Sequence, residues 1–208
     1  MLKVHGENVK KRGMKMKFVK HGLAVVIVCT LMLGGAAQAL VYEYFPDVPY
    51  DAEYAEAVNT LAELGIIAGD QHGNFNPDST ITRAEFATMM CRMLGVEDEA
   101  LAITESGFSD VPSGHWASGY IAKTVELGIF GGYGGGRFGP SDALLYEQAV
   151  AILVRLITQE EQVELAGGWP KGYIAIAQES GLTKGTTISV GSQVSRGTIA
   201  TLLFNMYH

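Results

Sequence analysis

FPDVPYDAEYAEAVNTLAELGIIAGDQHGNFNPDSTITRAEFATMM, from Phe45 to Met90, decides the fold. Within it Tyr54, Val58 and Leu61 fall at i, i+4 and i+7, the spacing of one helical face, and Gly65 follows as a left-handed C-terminal cap with Ile66 closing the end apolarly. The loop GDQHGNFNPDST is turn chemistry throughout. After it, Thr82-Arg83-Ala84-Glu85 is a capping box, in which the Thr82 hydroxyl and the Glu85 carboxylate satisfy each other's backbone donors. Phe86, Met90, Met93 and Leu94 then give a second helix its buried stripe.

The same plan recurs along the chain. A shift of 63 residues lays Phe108, Asp110, Val111 and Pro112 on Phe45, Asp47, Val48 and Pro49, and Gly128 on Gly65. A further 53 residues lays WPKGYIAIAQESG, ending at Gly181, on WASGYIAKTVELG, ending at Gly128. Three helix-loop-helix units are therefore expected, over 40–97, 106–158 and a shorter 165–208. One helix pair cannot bury both its faces alone, so the three must pack around a shared core.

These motifs identify a resemblance to the S-layer homology (SLH) family. Phe45 to Met90 carries an F-x-D-V opening, a G-I-I-x-G turn, an F-x-P loop and a T-R-A-E helix start; FSDVPSGHWASGYIAKTVELGIFGGYGGGRFGP resembles a second repeat, and GWPKGYIAIAQESGLTKG with VSRGTIATLLFN a third. The resemblance implies an all-α, pseudo-threefold trimer of repeats on one chain. It also implies non-covalent binding of secondary cell-wall polysaccharide, often pyruvylated, in grooves between repeats.

Candidate ligand-binding residues follow from that resemblance and from local chemistry together. Arg83 opens a helix, at the positive end of its dipole, where a cation is unfavourable unless an anion faces it. That anion is either a neighbouring repeat's carboxylate or a ligand, and a pyruvate ketal carboxylate fits a guanidinium fork. Arg196 keeps the position, whereas the second repeat has Tyr146 there. Trp116 and Trp169 match the family's tryptophan, and Glu53 stands there in the first repeat; an indole at a helix start serves as a sugar platform or as half-buried packing. Asp47 and Asp110 match the family's aspartate, with a turn or helix cap as the alternative role, and Val163 replaces it in the third repeat. If each helix-start arginine joins the next repeat's aspartate and tryptophan, one groove is complete, with Arg83, Asp110 and Trp116. A second then keeps only Trp169, and the third keeps Arg196 and Asp47.

Other chemistries find no foothold in the sequence. Gly131 to Gly136 resembles a phosphate cradle, but Arg137-Phe138-Gly139-Pro140 stands where the anion-binding helix would begin. The Asp70 to Asn74 stretch lacks the later glycine and glutamate of a calcium loop, and His72, His115 and His208 lack zinc-ligand spacing. No metal, cofactor or enzymatic activity is expected.

Composition sets the compartment. The chain has 208 residues, is 48% hydrophobic and 18% charged, and carries a net charge of -7, the profile of a packed protein. Residues 1–39 hold seven of the 15 basic residues, then an apolar run from Gly22 to Gly35 and Ala37-Gln38-Ala39, the three parts of a secretory signal peptide, with Met14 and Met16 as alternative starts. The apolar run is shorter than the roughly 20 residues a membrane span needs. Cleavage after Ala39 leaves eight basic and 21 acidic side chains, a net charge of -13 that repels nucleic acid and anionic lipid. The expected product is secreted to the cell wall or S-layer surface, binds wall polysaccharide, has other S-layer or surface proteins as further candidate partners, and is free of the membrane. It is either a self-contained wall-binding subunit or an anchor cut from a longer surface protein. A small wall-glycan hydrolase is the rival class, and would need paired carboxylates facing one cleft.

Overall fold

The computed structural model describes residues 44–187 and 189–208; the expected signal peptide lies outside them. The described residues form eight helices and no strand: α1 (Ala55–Glu63), α2 (Arg83–Met93), α3 (Glu97–Leu101), α4 (Ser118–Glu126), α5 (Tyr146–Ile157), α6 (Glu160–Leu165), α7 (Lys171–Glu179) and α8 (Arg196–Tyr207). The expected all-α class is what is found.

Local signals place the helix ends. Val58 and Leu61 of α1 are fully buried, and Gly65 stops the helix in the left-handed region at φ 70°, with the Ile66 amide donating back to the Leu61 carbonyl at 2.9 Å. At α2 the capping box forms as expected: the Glu85 amide donates to the Thr82 hydroxyl at 3.2 Å, and the Thr82 amide to the Glu85 carboxylate at 2.8 Å. In α5, Leu145 has no hydroxyl to offer, and only the Gln148 half survives, its side-chain oxygen accepting from the Leu145 amide. The expected stripe on α2 is too narrow a description. Ala84, Ala87, Met89 and Cys91 are buried with Phe86 and Met90, because α2 is enclosed by its neighbours on several sides. The short acidic helices α3 and α6 were not anticipated.

Packing joins each helix pair to the next. α2 lies against α4, α5 against α7, and α8 returns to α1, so the order of contacts closes on itself. Where the three loops meet, the Ile81 amide donates to the Val194 carbonyl (3.2 Å), Val194 to Leu144 (3.0 Å) and Leu144 back to Ile81 (2.9 Å). All three side chains are fully buried. A second ring surrounds the first. The amides that open α2, α5 and α8 would be orphaned within their own helices, and each donates to the loop of the next unit: Arg83 to Asp142, Tyr146 to Ser192, Arg196 to Ser79. The helix starts are thus completed by neighbours, which is why no pair satisfies its backbone alone.

Candidate functional site

The arginines at two helix starts make the same clamp. Arg83 reaches into the loop of the second unit, its Nε donating to the Phe138 carbonyl at 2.9 Å and its Nη2 to the Gly131 carbonyl at 2.7 Å. Arg196 reaches into the loop of the first unit and donates to Phe75 at 2.7 Å and Ala68 at 2.8 Å, the residues that the 63-residue shift makes equivalent. Among the described residues neither arginine forms an ion pair, so the carboxylate partner considered from sequence is replaced by carbonyls. At the third junction Tyr146 is packed into the core, and the clamp is inverted: the buried Glu147 carboxylate accepts from the Gly191 amide at 2.8 Å. An acid there puts a negative charge where the other two junctions have a guanidinium.

Arg83 is the more enclosed of the two clamps. Its guanidinium carbon lies 4.6 Å from the ring centre of Phe130, 4.4 Å from Tyr133 and 4.6 Å from Phe138, and the residue is 3% exposed. Burial pulls its pKa down, against the opposing pull of Tyr133, Asp142 and Asp110. Two of its five N–H groups are held by carbonyls, and the rest have no protein acceptor among the described residues. Arg83 borders a hollow of ≈ 190 Å³ whose wall also includes Tyr133, Gln148, Arg155 and Trp169. Tyr133, 53% exposed, lies over the Arg83 guanidinium, and Trp169, 55% exposed, lines the same hollow. Such a hollow can hold a small anion on the arginines while sugar faces rest on the aromatic rings.

Arg155 was not singled out from sequence. Its equivalent in the first unit, Arg92, is committed to Glu97 at 2.8 Å, and Tyr120 shares that carboxylate at 2.8 Å. After the second unit, Tyr173 of the third donates to Glu160, the counterpart of Glu97, at 2.8 Å, and Arg155 lies over the Tyr173 ring at 5.3 Å and lines the hollow.

The expected groove of Arg83, Asp110 and Trp116 is not one site. Arg83 shares its hollow with Trp169, because its two carbonyl bonds hold the guanidinium inside the 131–138 loop, alongside α5. Trp116, 59% exposed and stacked on His115, lines a separate hollow with Leu101, Ile103 and Thr104. Asp110 uses both oxygens on the loop, accepting from the Phe138 and Gly139 amides at 2.9 and 2.8 Å. Desolvation raises its pKa, but those bonds and Arg137 outweigh it and leave the carboxyl below its ordinary range. Asp47 does the same for Phe75 and Asn76 at 2.8 and 2.6 Å. The aspartates hold the loops that the arginines clamp.

Comparison with known proteins converges on one family. The S-layer homology domain profile matches residues 44–87 and 107–150. A cell surface protein of Thermoanaerobacter kivui is 37% identical over 191 residues, 90% of this chain and 24% of that protein. A surface layer protein of Brevibacillus choshinensis is 34% identical over 85% of this chain and 16% of its own length, and a surface-layer 125 kDa protein of Lysinibacillus sphaericus 38% identical over 63% and 12%. The chain thus spans a quarter or less of these relatives.

Proposed function

We propose, from the premise that residues 44–87 and 107–150 are S-layer homology domains, that the protein is an exported module that attaches non-covalently to secondary cell-wall polysaccharide, with 165–208 as a third, degenerate repeat. The closed order of helix contacts and the ring at Ile81, Leu144 and Val194 support a pseudo-threefold arrangement of the three. The observation that carries the binding role is the hollow of Arg83, Arg155, Gln148, Tyr133 and Trp169. It offers guanidinium donors for a carboxylate such as a pyruvate ketal and aromatic faces for the sugar that bears it. Its wall includes two arginines and no acid, the opposite of the carboxylate pair a glycoside hydrolase uses. The body carries a net charge of -13 without residues 1–39, so attraction to an anionic polymer must come from this local placement of cations.

A pull-down on purified cell walls tests the role. The protein is expected to sediment with walls that keep their polysaccharide and to stay in solution with walls from which it has been extracted. Equal sedimentation with both preparations would overturn the proposal.

A further inference from the structure

Two loops that are equivalent by sequence and clamped by equivalent arginines differ at six positions between 68 and 76, and two of these touch each other in the folded loop. In the second unit these are Tyr133 and Gly139; in the first they are Asp70 and Asn76. The loops share their end points but not their tips, where Gly134 and Gly135 have positive φ and their equivalents Gln71 and His72 do not. The Tyr133 amide donates to the Arg137 carbonyl at 2.9 Å, as the Asp70 amide does to Asn74 at 2.8 Å, and both Gly139 and Asn76 have positive φ, 73° and 57°.

The pairing has a steric cause. A Cβ on Gly139 would meet the Asp142 carboxylate and come within 2.6 Å of Tyr133 Cε2, so the present placement of both side chains goes with glycine at 139. In the first unit the side chain at 76 is present, and its Nδ2 donates to the Asp70 carboxylate at 2.9 Å instead. One arrangement puts an aromatic face against the clamped arginine; the other puts a carboxylate near it. Electrostatics follow. Arg196 is acted on by Glu85, Asp47 and Asp70, whereas Arg83 has Gln148 in place of Glu85 and Tyr133 in place of Asp70, and its remaining acids are Asp142 and Asp110. Asp47 and Asp110 cancel in the comparison because both are bonded to their own loop amides.

We propose that the pair Tyr133 and Gly139 is the specificity determinant that lets the Arg83 hollow take an anionic sugar, and that Asp70 and Asn76, with Glu85, keep the otherwise equivalent Arg196 clamp from taking one. The proposal rests on the wall-polysaccharide role proposed above and says which clamp serves it. Tyr133 excludes water from one face of the guanidinium, which strengthens its attraction for an anion, and leaves its own exposed face for the sugar. Asp70 holds a negative charge where the ligand carboxylate would approach, and like charges at short range disfavour binding.

Titration calorimetry of the whole protein with a pyruvylated fragment of wall polysaccharide is the test. Wild type is expected to titrate as one site per chain. Tyr133→Asp should bind at least about tenfold more weakly than wild type. The combined Asp70→Tyr, Asn76→Gly and Glu85→Gln variant should titrate as two sites, since glycine suits the positive φ at 76 and glutamine keeps the α2 cap. A Tyr133→Asp protein that binds like wild type, or a folded triple variant that still shows one site, overturns the inference and leaves the wall-binding role standing. No binding by wild type ends both.

Discussion

Arg83→Ala is expected to weaken binding to a pyruvylated wall-glycan fragment about ten- to a hundredfold, and Arg196→Ala much less. The first figure follows from the loss of a charge-assisted hydrogen bond, roughly 1.5 to 3 kcal/mol. The contrast between the two variants is what gives the measurement its meaning. Each removes a pair of carbonyl bonds to an equivalent loop, and Arg83→Ala also removes a more enclosed guanidinium that faces three rings instead of one, so it should destabilise the fold more. Only Arg83 borders the hollow that also holds Arg155 and Trp169, while Arg196 is faced by Glu85, Asp47 and Asp70. Titration alongside thermal unfolding of both proteins separates the effects. A larger melting shift for Arg83→Ala is expected, together with a larger binding loss measured at a temperature where both proteins remain folded. Equal binding losses would mean that the clamp acts only through loop structure.

Leu144→Ala should lower folding stability by about 2 to 5 kcal/mol, the range for deleting a fully buried leucine side chain. Alanine keeps the amide that donates to Ile81 and the carbonyl that accepts from Val194, so the backbone ring is unchanged and the loss reports side-chain packing where the three units meet. Because each unit completes the helix starts of another, unfolding in urea should remain a single transition with a lower midpoint. Leu101→Ala, at an exposed position, is the matched control and should change stability by no more than about 0.5 kcal/mol. A loss at Leu144 as small as that at Leu101, or separate transitions, would show that the units do not depend on this junction.

Features written in adjacent residues were legible before any coordinates. The Thr82 and Glu85 cap, the glycine stops at Gly65, Gly128 and Gly181, and the helices they bound needed only local chemistry. Which arginine meets which tryptophan was not legible. It depends on α5 packing against α7 and on the depth to which Arg83 enters the next loop, and neither leaves a trace in spacing. Arg155 escaped notice for a similar reason. It lies mid-helix at the same repeat position as Arg92, and what distinguishes them is the side-chain placement, Arg92 on the Glu97 carboxylate and Arg155 over the Tyr173 ring. Glu147 was hidden because the repeat alignment places it beside Tyr146, the visible departure, although it is the acid that inverts the junction. The roles of Asp47 and Asp110 were open to either a ligand or a turn, and the turn amides occupy them.

The most direct measurement is a calorimetric titration of the whole protein with wall polysaccharide before and after chemical removal of its pyruvate groups, at fixed ionic strength. Arginine forks around a carboxylate predict that binding disappears with the pyruvate and survives removal of the other wall anions. Undiminished binding to the depyruvylated polymer would contradict the assignment of the Arg83 hollow as a carboxylate site.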